Sequence, residues 1–570
     1  MEISNYCWAL RCERQASVSN FSKWTPCPSS YDHPAELTED LRLAKQWLTE
    51  CLENHHLCKT TFSGLLPRRL VFIGDTLNGG TQKLITTRKT DESDQSYKYL
   101  EHREVSQYST LSYCWGPDPG PLRLQHENLD QFAESIPWEA IPKTIQDAIL
   151  ISRSLKIHYL WVDALCIIQP TEDDDSDWTE ESSRMDSIYS NAVCTISATS
   201  AMNNSEGCFF ERQWMVFPLR NCDLDITDLH FDGQQSVILT CKHPTHKKDL
   251  GGSAAPLNRR AWTLQERRLS SRALDWTEKG VFFDCHTLRH SRWEREDINE
   301  AIGIRMSLLS GKTFSRLNNE EILAYWSYVI YDYSPRALTK PSDRLVALSG
   351  VAKFFQAFLK DEYLAGIWRS SLPVGLLWHW FTFGDYDSVQ SQTTPDHQSF
   401  NSNAYLAPSW SWAATLPRRI AMRSFEDVRV TPGVKVDSQN TRVELATTDP
   451  TGAVKNGQLR ITAPVVTVVR ILGGWRLLYH PYSLRFMEWL DPSEGHQLLQ
   501  MSCLLIAYEN RPLDPTFGPT YIGIIIEPAP GSAKCYKRIG LFELAMERNV
   551  SGPYPSLYNF MDQWDDVTLV

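Results

Sequence analysis

Leu41, Ala44, Leu48, Cys51, His55 and Cys58 recur at steps of three and four residues, which predicts a helix from Leu37 to about Cys58. Arg69–Gly74 is an apolar run of strand length, and the polar stretch 78–96 reads as a loop or hairpin. The patterning is clearest between 105 and 200. Tyr108–Trp115 is strand-like and stops at the turn signal Gly116-Pro117. Ile145, Ala148, Ile149, Ser152 and Leu155 share one helix face, with Pro142 near the first turn, where a missing N–H costs little. Tyr159–Ile168 is nearly unbroken apolar sequence, as in a strand buried on both faces of a parallel sheet. Asp177 stands three residues before Glu180, an acidic form of the capping box, and predicts a helix to about Ser190. Val193–Ala198 is another apolar strand. Strand, helix, strand, helix, strand is the rhythm of a parallel α/β sheet.

Beyond 200 the pattern loosens. Ser236–Thr240 has a strand signal and Gly251-Gly252 is a break. Arg259–Leu274 reads as helical and Val281–Asp284 as a strand. From about 295 to 380 the chain is mainly helical, and from about 420 it alternates and turns often. The organisation expected is a variable, poorly ordered lead-in (1–35), a helix and strand region (36–104), a parallel-sheet domain (105–290), a mainly helical extension (291–420) and a β-rich end (421–570).

Composition narrows the classes. Hydrophobic residues at 42% and charged residues at 22% exclude a disordered or fibrous chain. The longest apolar runs, such as Met501–Tyr508 and Tyr521–Ile526, are too short for a helix to span a bilayer. The first residues hold no apolar core of a signal peptide, so a cytoplasmic location is expected. A net charge of −12 argues against nucleic acid and anionic membrane surfaces as partners. The cysteines are scattered without a CxxC and read as reduced, mostly buried thiols. The tryptophans fall in short motifs, which points to layered aromatic packing.

Some local motifs fail on inspection. Asp173, Asp175 and Asp177 start a calcium-loop pattern, but its glycine position holds Trp178 and its final glutamate position Arg184. Gly311-Lys312-Thr313 resembles the end of a phosphate loop, but the required earlier glycine is Met306. Cys166 and His158 are too far apart along one strand to form a thiol–imidazole pair, so Cys166 reads as inert core. Cys51, His55 and Cys58 on one helix face could offer a metal two thiolates and an imidazole, with His56 or a distant cysteine as the fourth ligand. The plainer reading is a face of buried thiols, and no metal is expected.

Three segments together resemble the fungal heterokaryon-incompatibility (HET) domain. The first is Tyr108–Gly116 (YSTLSYCWG). The second starts at Ile141–Ala148, passes through Tyr159–Gln169 and Met185–Ala192, and ends at Thr195–Ala198. The third is Arg260-Ala-Trp-Thr-Leu-Gln-Glu266 with Leu269-Ser270. Flanking stretches resemble the same family: Trp47-Leu48 with Cys51, His55 and Cys58 before the domain, and after it Tyr333-Ser334, Asp343-Arg344-Leu345, Ala365-Gly366, Trp368 and Ala407–Trp412. The likeness covers roughly 40–415, and Ile168 departs from it where the family usually has a polar residue.

The resemblance implies a role in non-self recognition and regulated cell death. It also implies a TIR-like, flavodoxin-like parallel sheet, because HET domains are thought to be distantly similar to TIR domains. Some TIR domains cleave NAD with a glutamate in a Trp-x-x-x-Glu setting, and Trp262-Thr-Leu-Gln-Glu266 has that spacing. On that basis Glu266 is the expected catalytic residue. Ser112, Tyr113, Trp115, Gly116, Asp163 and Trp262 are the expected substrate-binding residues, and NAD is a substrate with no cofactor needed. The plainer alternatives stay open. Glu266 would pair with Arg260 or Arg267 and Trp262 would be core, Asp163 would pair with a buried arginine such as Arg260 rather than face a crevice at the C-terminal end of the sheet, and Gly116 would form a tight turn. Three functions follow: an NAD-cleaving incompatibility protein, a non-enzymatic signalling module that binds a second copy or a partner incompatibility protein, and a member repurposed for a small-molecule biosynthetic step.

Overall fold

The computed structural model describes residues 2–4, 7–13, 33–59, 66–74, 81–87, 105, 107–117, 122–210, 223–231, 234–242, 255–291, 295–297, 308–380, 405–415, 417–423, 428–471, 474–477, 484–490, 500–509, 517–530, 534–547 and 564–570. The expected break at Gly251-Gly252 lies outside them. The chain divides into two compact units, one of Met1–Arg259 with Gln265–Thr313 and the other of Arg260–Leu264 with Phe314–Val570.

The first unit is built on a nine-stranded sheet. Its strands are β1 (Arg69–Phe72), β2 (Lys83–Thr86), β3 (Ser109–Ser112), β4 (Tyr159–Trp161), β5 (Cys194–Ala198), β6 (Arg272–Thr277), β7 (Gly280–Cys285), β8 (Leu288–Ser291) and β9 (Arg295–Asp297). The spatial order is β9-β8-β7-β6-β5-β3-β4-β1-β2. The four central strands are parallel, with Ser112 beside Ser197 and Thr110 beside Trp161. Antiparallel strands extend both edges. A smaller antiparallel sheet pairs Glu2–Ser4, Cys7–Glu13, Gln234–Lys242 and Asp223–Phe231, so the strand expected at Ser236–Thr240 is present.

Helices run between the parallel strands: α2 (Lys143–Ser154), the short α3 (Asp163–Cys166), α4 (Ser176–Ser182), α5 (Met185–Asn191) and α6 (Trp262–Arg268), with α1 (His33–Asn54) ahead of the sheet. Helix α2 forms where the i, i+3, i+4 pattern predicts, Pro142 being its N-cap. Its Ile145, Ala148, Ile149 and Ile151 are fully buried, each isoleucine side chain contributing about 1.5–3 kcal/mol.

Local structure departs from the sequence expectations at four places. The Leu37–Cys58 helix stops at Asn54, and His56–Cys58 is a separate 3-10 turn. The Tyr159–Ile168 run is a three-residue strand followed by α3, because the N–H groups of Leu165 and Cys166 turn back onto the Val162 carbonyl. The helix expected from Asp177 to Ser190 is two helices, α4 and α5, and Asp177 caps neither. Its carboxylate instead binds Arg68 (2.6 Å), Arg69 (2.9 Å) and the Ile168 N–H (2.8 Å). Arg259–Leu274 is α6 and then strand β6.

The second unit joins helices to a β-rich end. Helices α7 (Asn319–Tyr333) and α8 (Val346–Leu359) carry an aromatic core in which Trp326 meets Phe355, Tyr363 and Trp368 edge-on. The indoles of Trp326 and Trp412 both donate to the Gly366 carbonyl, at 3.1 and 2.9 Å. Gly366 sits at φ 102°, and a Cβ there would lie 2.5 Å from the Trp412 nitrogen. The motif tryptophans are thus layered, as their clustering suggested. In the β-rich end, Gln500–Glu509, Phe517–Pro528, Cys535–Glu547, Trp564–Leu569 and Val454–Ile471 pair in that order, and the last strand pairs again with the first, closing a barrel-like ring. The β-rich end packs on the helical part of the unit through Thr451, just before the Val454–Ile471 strand, to the Ser349 carbonyl (3.2 Å) and Arg369 to the Thr441 carbonyl of the neighbouring strand Lys435–Leu445 (2.9 Å). Among the described residues no helix is long and apolar enough to cross a membrane.

Candidate functional site

Chain order β3, β4, β5, β6 against spatial order β4-β3-β5-β6 means that the winding reverses between β3 and β5. In open α/β sheets a crevice lies outside the carboxyl ends of the strands at such a reversal, and ligands bind there. Ser112 ends β3, Tyr113, Trp115 and Gly116 follow it, and Asp163 follows β4. All of these expected site residues therefore lie at the same edge of the parallel strands.

Successive strand residues point to opposite faces, and β3 uses both. Ser109 bonds Ser152 of α2 at 2.8 Å. Thr110 and Ser112 face the other way. Ser112 Oγ donates to Glu266 Oε2 at 2.5 Å, joining the first and third sequence segments across 154 positions. Behind this contact runs a row of hydroxyls. Thr110 Oγ1 and Thr195 Oγ1 are 2.8 Å apart, Thr195 Oγ1 and Ser270 Oγ 2.5 Å apart, and Ser270 Oγ donates to the Glu266 carbonyl at 2.6 Å.

The two carboxylates of the site differ in access. Glu266 is only 7% exposed. Asp163 is half-buried, accepts from the Trp115 indole N–H at 2.9 Å and from the Ala164 N–H at 2.7 Å, and opens α3 rather than sitting within a strand. Tyr189 of α5 lies near both. Its hydroxyl donates to the Leu111 carbonyl at 3.3 Å. Burial first, then the charges of Glu266 and Asp163 with a hydrogen bond to Glu266, hold its phenol well above the usual pKa, so it is a permanent donor. Tyr189 lies in the second segment, but sequence reasoning did not single it out. Its only signal is the placement of a polar-tipped aromatic within a segment otherwise read as helix core.

Arg267, one of the arginines proposed to neutralise Glu266, is engaged elsewhere, by Asp284 at 3.0 Å and by Asp275. Trp262, one turn before Glu266 on α6, falls in the second unit, where its indole hydrogen-bonds the carboxyl of Asp343. Cys166 is fully buried and its thiol is pushed up to about 12 by that burial, in keeping with an inert core residue.

Gly116 turns the chain at φ 86°, and a Cβ there would lie 2.6 Å from Asn203 Cβ. Gly116→Ala should therefore destabilise the unit by at least about 1–2 kcal/mol, the left-handed penalty alone. Equilibrium denaturation measures the loss, and an unchanged midpoint would mean that the turn relaxes freely.

A second cluster of chemistry-bearing groups lies apart from this edge. The ligand atoms of Cys51, His55, Cys58 and Cys285, all buried, lie within 4.8 Å of one another.

Residues 108–266 match the family model described as Heterokaryon incompatibility protein (HET), a span that holds the first two segments and the third as far as Glu266. No curated protein and no solved structure matches the chain.

Proposed function

We propose that this chain acts in heterokaryon incompatibility and the cell death that accompanies it in fungi, and that its HET domain does so by cleaving the nicotinamide–ribose bond of NAD. The observation that carries the reading is the convergence of Ser112, Asp163, Tyr189 and Glu266 at the winding reversal of the parallel strands. The spatial order β4-β3-β5-β6 also supports a flavodoxin-like, TIR-like sheet, since it follows the 2-1-3-4 order of that class.

The chemistry asks little of the protein. When the C1′–N bond breaks, both electrons leave with the nicotinamide nitrogen. The leaving group starts cationic and departs neutral, so it needs no proton. Positive charge then develops on the ribose as an oxocarbenium-like centre, which a nearby carboxylate stabilises. Water attacks C1′ and releases one proton, giving ADP-ribose. Glu266 is the carboxylate for this role, oriented by Ser112 and Tyr189. Trp115, fixed by Asp163, offers a flat surface at the half-exposed mouth.

One observation favours a second reading. Glu266 is nearly buried, which suits a group that positions β3 as well as one that meets substrate. In that reading the domain is a non-enzymatic module that binds a second copy or a partner protein through the accessible Asp163–Trp115 edge. Incubating the purified full-length chain with NAD at high protein concentration separates the two. Nicotinamide and ADP-ribose released in equal amounts support cleavage, and intact NAD under those conditions leaves the binding module.

A further inference from the structure

We propose that Cys51, His55, Cys58 and Cys285 form a structural zinc site that ties the end of α1 to the β7–β8 hairpin. This rests on a different part of the first unit from the HET site and is independent of the function proposed for it.

The break in α1 is what makes the site. On a continuous helix, Cys51 and Cys58 would be separated by seven residues, roughly 10 Å of rise, too far to share one ion. The helix instead ends at Asn54. The His55 N–H still bonds the Cys51 carbonyl at 3.2 Å, and the Cys58 N–H bonds the His55 carbonyl at 3.1 Å, so the 3-10 turn folds Cys58 back. The fourth ligand, Cys285, is the last residue of β7. All four ligand atoms then lie within 4.8 Å of one another. Around tetrahedral zinc, with Zn–S about 2.3 Å and Zn–N about 2.0 Å, neighbouring sulfurs are roughly 3.8 Å apart and a sulfur and nitrogen roughly 3.5 Å. Cys285 Sγ and His55 Nδ1 are already 3.5 Å apart.

The surroundings suit thiolates. The backbone N–H groups of Thr287 and Leu288 both point at Cys285 Sγ from 3.4 Å. Arg272, only 3% exposed, places Nε 3.1 Å from Cys51 Sγ. Three thiolates and a divalent ion sum to −1, and the guanidinium brings the buried site to zero. Buried charges persist only when balanced and hydrogen-bonded in this way.

The test is metal analysis of the full chain, expressed with zinc and purified without chelator. We expect about one zinc per chain, and zinc affinity at least about tenfold weaker in Cys285→Ser and Cys58→Ser, since losing even an outer-shell partner costs that much. Cobalt added to the zinc-stripped chain should give the charge-transfer and d–d bands of a tetrahedral thiolate site, and zinc should displace it. His55→Cys should keep the metal with a shifted cobalt spectrum, which separates lost ligation from lost folding. A well-folded wild-type chain with neither zinc nor cobalt bands would overturn the proposal. So would a thiol titration showing two of the three cysteines joined as a disulfide.

Discussion

Glu266→Gln should abolish nicotinamide release, or cell killing on expression, while leaving the melting temperature close to that of the wild type. Glutamine keeps the length of the side chain and can still accept the Ser112 hydroxyl through its carbonyl oxygen. What it lacks is the negative charge. If that charge stabilises an oxocarbenium-like centre, the loss falls on turnover, and a single electrostatic group of this kind is worth about 10²–10³-fold. If the carboxylate serves only to hold β3 to α6, the change weakens a charge-assisted hydrogen bond worth about 1.5–3 kcal/mol, and the loss falls on stability. Activity and melting measured on the same preparation therefore distinguish the roles. A variant that retains full activity would end the catalytic assignment, whatever its stability.

The largest stability effect should come from Asp177→Asn, a loss of about 3–5 kcal/mol, as for a buried ion pair broken on one side. Arg69 is 4% exposed and bonds Asp177 through two nitrogens, so the asparagine would leave its buried guanidinium without the carboxylate that pairs with it directly. The same pairing fixes the pH dependence. Burial alone would raise the Asp177 pKa, but Arg69, the Ile168 N–H and Arg68 outweigh it and hold the carboxyl below its usual value. A depressed folded pKa means that the stabilisation is complete above the unfolded value, near ~4, and is lost as pH falls below it. Denaturant titrations from neutral to acid pH should show a steep loss in the wild type and a flatter one in Asp177→Asn. Parallel acid limbs would show that other carboxylates dominate.

The elements that repeat a clean period were legible in the sequence. Helix α2, strand β5 and the alternating C-terminal strands form where their patterns place them. The elements that misled share a physical cause. Tyr159–Ile168 is apolar throughout, and a strand buried on both faces and a buried helical turn share that composition, so the switch at Val162 left no trace. Asp177 satisfies a local capping pattern, yet its partners Arg68 and Arg69 lie more than a hundred positions earlier. Local periodicity carries no record of such a pairing. Cys285 escaped for the same reason, and so did Tyr189, whose nearness to two carboxylates depends on the strand order. The meeting of Ser112 with Glu266, 154 positions apart, left no trace in local patterning and was legible only through the resemblance of their two segments to one domain.

The row of hydroxyls behind Glu266 has a direction. Each hydroxyl has a single hydrogen to give, and the Glu266 carbonyl at one end can only receive. Ser270 therefore spends its hydrogen on that carbonyl and must be addressed by Thr195, which must in turn be addressed by Thr110. One backbone oxygen thus orders every proton along three residues distant in sequence, as a wall orders a line of dominoes leaning against it. Valine in place of Thr110 would remove only the outermost member, whereas valine in place of Thr195 would cut the line in the middle, taking from Thr110 the acceptor of its hydrogen and from Ser270 the donor that addresses it.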